Sequence, residues 1–215
     1  MVISSLARLS EIKLEKSQYR EAVPLLERLE KEASSEENRI YAQSNLMKSY
    51  DELDRPDLAA SYAEKVLRNS QADTRAKTDA QLIVARSAIK NGDEARAKAA
   101  YAEVQKNAKG ELAAEALYYD AYFKHKAGNY EASNAAVQIL AKDFSGYKRW
   151  GAKGLVLMGK NFYQLDDAYQ ATYILENVIK NFGNYPDIVQ EAETELSRIQ
   201  AEKAKTNSSV ETLTR

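Results

Sequence analysis

Apolar residues along the chain fall into paired helical stripes. The pairs are separated by short polar breaks, and the pattern returns five times. The clearest copy reads Leu155-x2-Met158-Gly159-x2-Phe162, followed by Ala171-x3-Leu175. Spacings of three and four place these residues on one face of each of two successive helices. Taking the small residue of the second helix as anchor gives Ala22, Ala59, Ala97, Ser133 and Ala171. A period of thirty-six to thirty-eight residues marks a stacked array of helix hairpins, in which each repeat buries its apolar face only against its neighbours. The predicted repeats are about 2–34, 35–72, 73–109, 110–145 and 146–184, within a single array spanning 1–205.

Local signals place the breaks. Ser17 reads as the N-cap of the second helix, and Ser34-x-x-Glu37 as a capping box opening the third. Pro24 falls inside a helix, where it predicts a slight bend, and Pro56 falls in a first turn, where it is tolerated. Asn91-Gly92-Asp93 reads as stop and restart, with a left-handed C-cap at Gly92 and an N-cap at Asp93. The fourth repeat matches least well, with Asp120, Ala121 and Lys124 in the large, small and aromatic columns. Beyond the fifth repeat, Asn184-Tyr185-Pro186-Asp187 opens one more helix, 186–205. Its stripe of Ile188, Ala192, Leu196 and Ile199, with Glu191, Glu193, Glu195 and Arg198 on other faces, predicts a terminal capping helix. Residues 206–215 read as a polar, frayed tail, with Asn207-Ser208-Ser209 a chance match to a glycosylation acceptor. At the other end, Val2, Ile3, Leu6, Ala7, Leu9, Ile12 and Leu14 cover more than half of the first helix. That width predicts cover by a preceding repeat of a longer array, or self-association through this helix.

Composition agrees with an all-α chain: among 215 residues there are 8 Gly and 3 Pro. Thirty-one basic against 32 acidic residues leave a formal charge of −1, which argues against a general nucleic-acid binder held by phosphate neutralisation. The absence of cysteine removes disulfides, thiolate metal sites and cysteine nucleophiles. The opening stretch Met1 to Leu14 carries Arg8, Glu11 and Lys13 and does not read as a signal peptide.

The motifs Leu155-x2-Met158-Gly159-x2-Phe162 with Ala171, Gly128-Asn129-Tyr130, and Asn45-Leu46-x3-Tyr50 resemble tetratricopeptide repeats over residues 2–182. The long period and the stretch Trp150-Gly151-Ala152-Lys153 resemble bacterial cell-envelope members of that family, including the outer-membrane assembly lipoprotein and large periplasmic repeat proteins. The resemblance implies a right-handed superhelical solenoid of five hairpins plus the C-terminal capping helix, with the first helices lining a concave groove that captures partner proteins. It favours the bacterial periplasm or cell envelope, with the cytoplasm as the alternative. Lys13, Ala88 and Lys124 depart from the family's aromatic column and Ser133 from its Ala, which puts the packing of repeats three and four in question.

Carried onto this chain, the groove would present Lys48, Arg86, Tyr122 and Lys160 in one column, with Ser44, Leu82, Tyr118 and Val156 one turn before. Asp51, Ile89, His125 and Tyr163 form a third. Cations suit carboxylates and tyrosines supply stiff contact area, so the expected partner-binding residues are Lys48, Arg86, Tyr118, Tyr122, His125, Lys160 and Tyr163; a packing role for the tyrosines stays open. From Lys124 to Lys160, seven basic residues face two acidic ones, which favours an acidic partner at that end. Gly154-x4-Gly159-Lys160 has P-loop spacing, but Asn161 stands where Ser or Thr is required and the segment reads as helix. His125 is the single histidine, so no histidine pair can hold a metal. The sequence thus predicts a non-enzymatic protein-interaction scaffold without cofactor or metal, its partner a protein or peptide. It would form a C-terminal segment of a larger bacterial envelope protein. The alternative is a binder of single-stranded nucleic acid or another anionic polymer through Lys124–Lys160.

Overall fold

The computed structural model describes residues 2–213, with side chains for residues 2–205. Among the described residues the chain is helical throughout, with eleven helices and no strand. Its contacts fall into two compact units, Met1–Ala108 and Lys109–Arg215. The first contains α1 Val2–Glu15, α2 Tyr19–Glu32, α3 Glu36–Glu52, α4 Pro56–Arg68, α5 Thr74–Lys90 and α6 Glu94–Asn107. The second contains α7 Glu111–Lys126, α8 Tyr130–Asp143, α9 Lys148–Gln164, α10 Ala168–Asn181 and α11 Pro186–Leu213. Helix α11 continues to Leu213, past the boundary at 205 read from the sequence, and the side chains of residues 206–215, the Asn207 acceptor among them, lie outside those the structure describes.

The anchor column explains why these are hairpins. Ala22, Ala59, Ala97, Ser133 and Ala171 are each fully buried, as are Leu26, Ala63, Val137 and Leu175 one turn later. A small residue at the crossing lets the two helices of a hairpin approach, and the larger one below it fills the space between them. Between the helices of every hairpin the chain makes the same turn. Ser17, Asp54, Gly92, Gly128 and Asp166 all have positive φ, between 54° and 77°. These positions are separated by 37, 38, 36 and 38 residues, the same intervals as the anchors. The residue after each donates its amide to a carbonyl five positions back: Gln18 to Lys13, Arg55 to Tyr50, Asp93 to Ala88, Asn129 to Lys124 and Asp167 to Phe162, at 2.8–2.9 Å. This is the Schellman arrangement, which satisfies the otherwise orphaned carbonyls of a helix end.

Two cap assignments from sequence are corrected by this geometry. Ser17 occupies the left-handed turn instead of the N-cap, and Gln18 at the cap makes no side-chain bond. The cap of α3 is Ser35, whose hydroxyl accepts from the Asn38 amide at 3.3 Å, one residue later than the Ser34-x-x-Glu37 reading. Gly92 and Asp93 behave as their types dictate: Gly92 is left-handed and Asp93 accepts from the Arg96 amide at 3.0 Å.

The chain ends differ in character. On α1, Leu6 is buried with Leu29 and Ala42, and Ile3 and Ala7 pack at the edge of that cluster, whereas Val2 and Leu9 remain 51% and 44% exposed. On α11, Ile188, Ala192 and Ile199 are buried against Val156, Ala171 and Leu175, and Leu196 packs beside them. Helix α11 thus occupies the place a sixth first helix would take.

Candidate protein-interaction surface

In a hairpin stack the first helices pack on one another as well as on their own partners. Here α3 packs on α5 within the first unit, and α7 on α9 and α9 on α11 within the second. The side chains on these faces are tied across neighbouring repeats. In the first unit Lys48 Nζ meets Asp79 at 2.6 Å, Arg86 meets Asp51 at 3.3 Å and Lys90 meets Asp54 at 2.9 Å. In the second, Lys160 meets Glu191 at 2.6 Å and Arg149 meets Asp187 at 2.6 Å. The Tyr163 hydroxyl donates to Glu202 at 2.5 Å, and the Arg198 guanidinium lies 4.8 Å over the Tyr163 ring. Exposed pairs of this kind each stabilise by about 0–1 kcal/mol. The cations expected to await a ligand, Lys48, Arg86 and Lys160, therefore have internal partners 31 to 35 residues away. Leu82 and Val156 of the neighbouring column are buried in the packing.

His125 belongs to a polar network linking repeats four and five. Asn161 Nδ2 donates to Ser133 Oγ at 2.9 Å and to Asn134 Oδ1 at 2.8 Å, and Ser133 Oγ donates to the Ala121 carbonyl at 2.8 Å. With both amide hydrogens committed, Asn161 Oδ1 is an acceptor, so His125 Nδ1, 2.6 Å away, carries the proton. Ser133, which departs from the repeat's alanine, and Asn161 thus satisfy each other inside the core.

What remains on the second unit's first-helix face is an aromatic and cationic cluster. Tyr118, Tyr119 and Tyr122 of α7 form a chain of ring contacts, with centroids 5.1 Å and 6.0 Å apart. Trp150 of α9 lies against Tyr118 at 5.5 Å and Tyr119 at 6.2 Å. The Lys153 ammonium sits 5.4 Å from the Tyr118 ring and 5.2 Å from the Trp150 ring, and among the described residues no carboxylate lies within ion-pair distance of it. Burial, then the neighbouring Arg149 charge, lower its pKa below the usual lysine value. The Tyr118 hydroxyl is pushed up, first by burial and then by the Glu191 carboxylate. Trp150 Nε1 is shielded and, among the described residues, has no hydrogen-bond partner. Both the desolvated ammonium and the unpaired indole N–H carry a free-energy cost that apolar side chains of similar volume would avoid. Perturbed groups of this sort concentrate at functional surfaces. Of the sequence-predicted residues, the structure brings Tyr118 and Tyr122 into this cluster. Lys160, His125 and Tyr163 are engaged elsewhere in the same unit, and Lys48 and Arg86 belong to the other. Sequence reasoning counted Lys153 among the basic residues of Lys124–Lys160 and did not place Trp150 or Lys153 among the groove residues; a tryptophan three residues before a lysine on one face was the available signal.

Other chemistries find little to work with. Gly154 and Gly159 lie within α9, where a Cβ would meet Val137 at 3.1 Å and Leu175 at 2.9 Å respectively. They are close-packing glycines, and their amides are committed to the helix rather than to a phosphate. Among the described residues no three histidine or acidic side chains converge as a metal site, and no helix is long and apolar enough to cross a membrane. The basic stretch is partly neutralised by carboxylates that lie outside it: Lys124 meets Asp120, Arg149 meets Asp187 and Lys160 meets Glu191, each at 2.6 Å.

No family model matches the chain, and none of the curated proteins matches it. Fourteen chains among solved structures do. One is the crystal structure of MamA protein, 12% identical, aligned over 86% of this chain and 94% of that one with a TM-score of 0.63. The fold is that of a tetratricopeptide-type helical repeat protein.

Proposed function

We propose that the protein is a non-enzymatic interaction module that holds a partner protein on the first-helix face of its second unit. The observation that carries this reading is Lys153: an ammonium kept half-buried over two aromatic rings, its pKa lowered by burial against the pull of Glu191, Asp187 and Glu115, with no carboxylate within ion-pair distance among the described residues. A cation so placed gains from an arriving carboxylate more than a solvated surface lysine does, because the interaction forms in a poorly screened setting. The rings of Tyr118, Tyr122 and Trp150 supply contact area at low conformational cost, the composition that dominates protein recognition energetics. The repeat fold supports the same reading, since stacked hairpins create extended surfaces rather than enclosed pockets.

Lys153→Met tests the claim with little risk to the fold. Methionine keeps the length and apolar stem of lysine while removing the desolvated charge. The variant should melt at or above the parent temperature yet capture an acidic partner more weakly. Equal capture by parent and variant would remove Lys153 from the account.

A further inference from the structure

The second unit also contains a cavity of about 360 Å³ whose residues are separate from the Lys153 cluster. It lies between two copies of one turn. Phe144 and Tyr147 join α8 to α9, and Phe182 and Tyr185 join α10 to α11, the second pair 38 residues after the first. In both, the tyrosine amide donates to the phenylalanine carbonyl at 2.9 Å. The rings are held from behind. A Cβ on Gly110 would lie 2.9 Å from the Tyr147 hydroxyl, so that ring is seated on the start of α7, and the Arg149 guanidinium lies 5.8 Å over Tyr185. An aromatic slot of this size, with Ser145, Lys148, Asn181 and Asn184 among its lining, has the character of a ligand site.

Charge and a glycine say what the slot accepts. No acidic residue lines it, whereas Lys148 does, and among the described residues no carboxylate lies within ion-pair distance of Lys148. Lys148 also begins α9, whose first turn carries no acidic residue and no side-chain cap, so unpaired amides add to the positive field. Gly151 lines the cavity one turn into the same helix. Unlike Gly154 and Gly159, it has no packing reason to be glycine: a Cβ there would meet nothing within 4 Å. Glycine inside a helix is otherwise unfavourable relative to alanine. Its effect here is to leave the mouth of the slot open.

We infer that this slot binds an aromatic side chain of a partner segment that carries a carboxylate on the adjacent residue, the ring between Phe144–Tyr147 and Phe182–Tyr185 and the carboxylate on Lys148. The inference rests on the protein-binding reading for its partner class but on none of the residues that carry that reading. The probes are capped dipeptides, acetyl-Asp-Phe-amide, acetyl-Asn-Phe-amide and acetyl-Asp-Ala-amide, titrated into the full chain at millimolar concentration while backbone amide shifts are followed.

The Asp-Phe peptide should shift the amides of Gly151 and Gly183. Asn-Phe should bind several-fold more weakly, and Asp-Ala should leave the amides unmoved. Gly151→Leu, which fills the mouth and raises helix propensity, should abolish the shifts with the helical signal retained. Lys148→Gln should erase the difference between Asp-Phe and Asn-Phe. Equal binding of Asp-Ala, unchanged binding in Gly151→Leu, or no shift with any peptide overturns the inference. Lys153→Met should leave the titration as it is, so failure here and failure of the first-helix surface are told apart.

Discussion

Asn161 donates to the Ser133 hydroxyl at 2.9 Å inside the core of the second unit, joining α9 to α8. The contact holds the serine that stands in place of the repeat's alanine, and it completes a network in which every polar atom named has a partner. Ser133→Ala should destabilise by about 1–3 kcal/mol, because it strands an amide hydrogen of Asn161 in the core. Removing both partners with Ser133→Ala and Asn161→Leu should cost less than the sum of the single changes. A double-mutant cycle by urea denaturation reads the coupling directly; additive losses would mean that the network is incidental.

The same helix position in the first unit holds Ser49 and Ser87, 112 and 74 residues before Asn161. Both are buried, and among the described residues neither hydroxyl has a hydrogen-bond partner. Ser49→Ala and Ser87→Ala should therefore each stabilise, by about 0.5–1 kcal/mol, through relief of an unsatisfied hydroxyl and better helix propensity. Thermal melts that fall on either substitution would show that the hydroxyl is satisfied after all.

Turn geometry predicts a sign that loop position alone would reverse. At an ordinary loop site Gly→Ala stabilises by limiting the unfolded chain. Gly92 and Gly128 instead have φ of 74° and 77°, and a Cβ on either would touch nothing, so the backbone conformation alone sets the effect. Gly92→Ala and Gly128→Ala should each destabilise by about 1 kcal/mol, whereas Ser17→Gly should raise the melting temperature.

Much of this was legible in the sequence because it is local. Helix ends, the anchor column and the capping stripe of α11 follow from apolar spacing and from the conformational preferences of glycine and proline. The misplaced features depended on distant residues. Lys48, Arg86 and Lys160 looked like open groove cations because Asp79, Asp51 and Glu191 stand a full repeat away in the chain. The excess of positive charge from Lys124 to Lys160 counted neither Asp120 nor Asp187. Ser35 replaced Ser34 as cap because a one-residue shift of helix start is invisible to a spacing rule.

Alkaline titration offers an independent check on the first unit. Burial, then the carboxylates of Glu30 and Glu27, push the Tyr62 hydroxyl up to about 12 from 10.0. Its ring stacks on Tyr50 at 5.7 Å with Lys65 4.3 Å above it. Between pH 10 and about 12 the folded chain keeps a proton that the unfolded chain has released, so stability falls as pH rises through that window. Tyr62→Phe should reduce that fall and remove one late-titrating phenolate from the ultraviolet difference spectrum. A missing phenolate that titrates near 10 would show that the hydroxyl is not shielded.

Site-specific photo-crosslinking tests the central claim most directly. A benzophenone side chain placed at Tyr122 or Lys160, on the first-helix face and with Lys153 kept, is compared in the native cell with one at Gln138 or Lys142 on α8. The account predicts a discrete protein adduct from Tyr122 and Lys160, retained at raised salt and absent from the α8 positions. Adducts formed only from α8, or adducts to nucleic acid in place of protein, would contradict it.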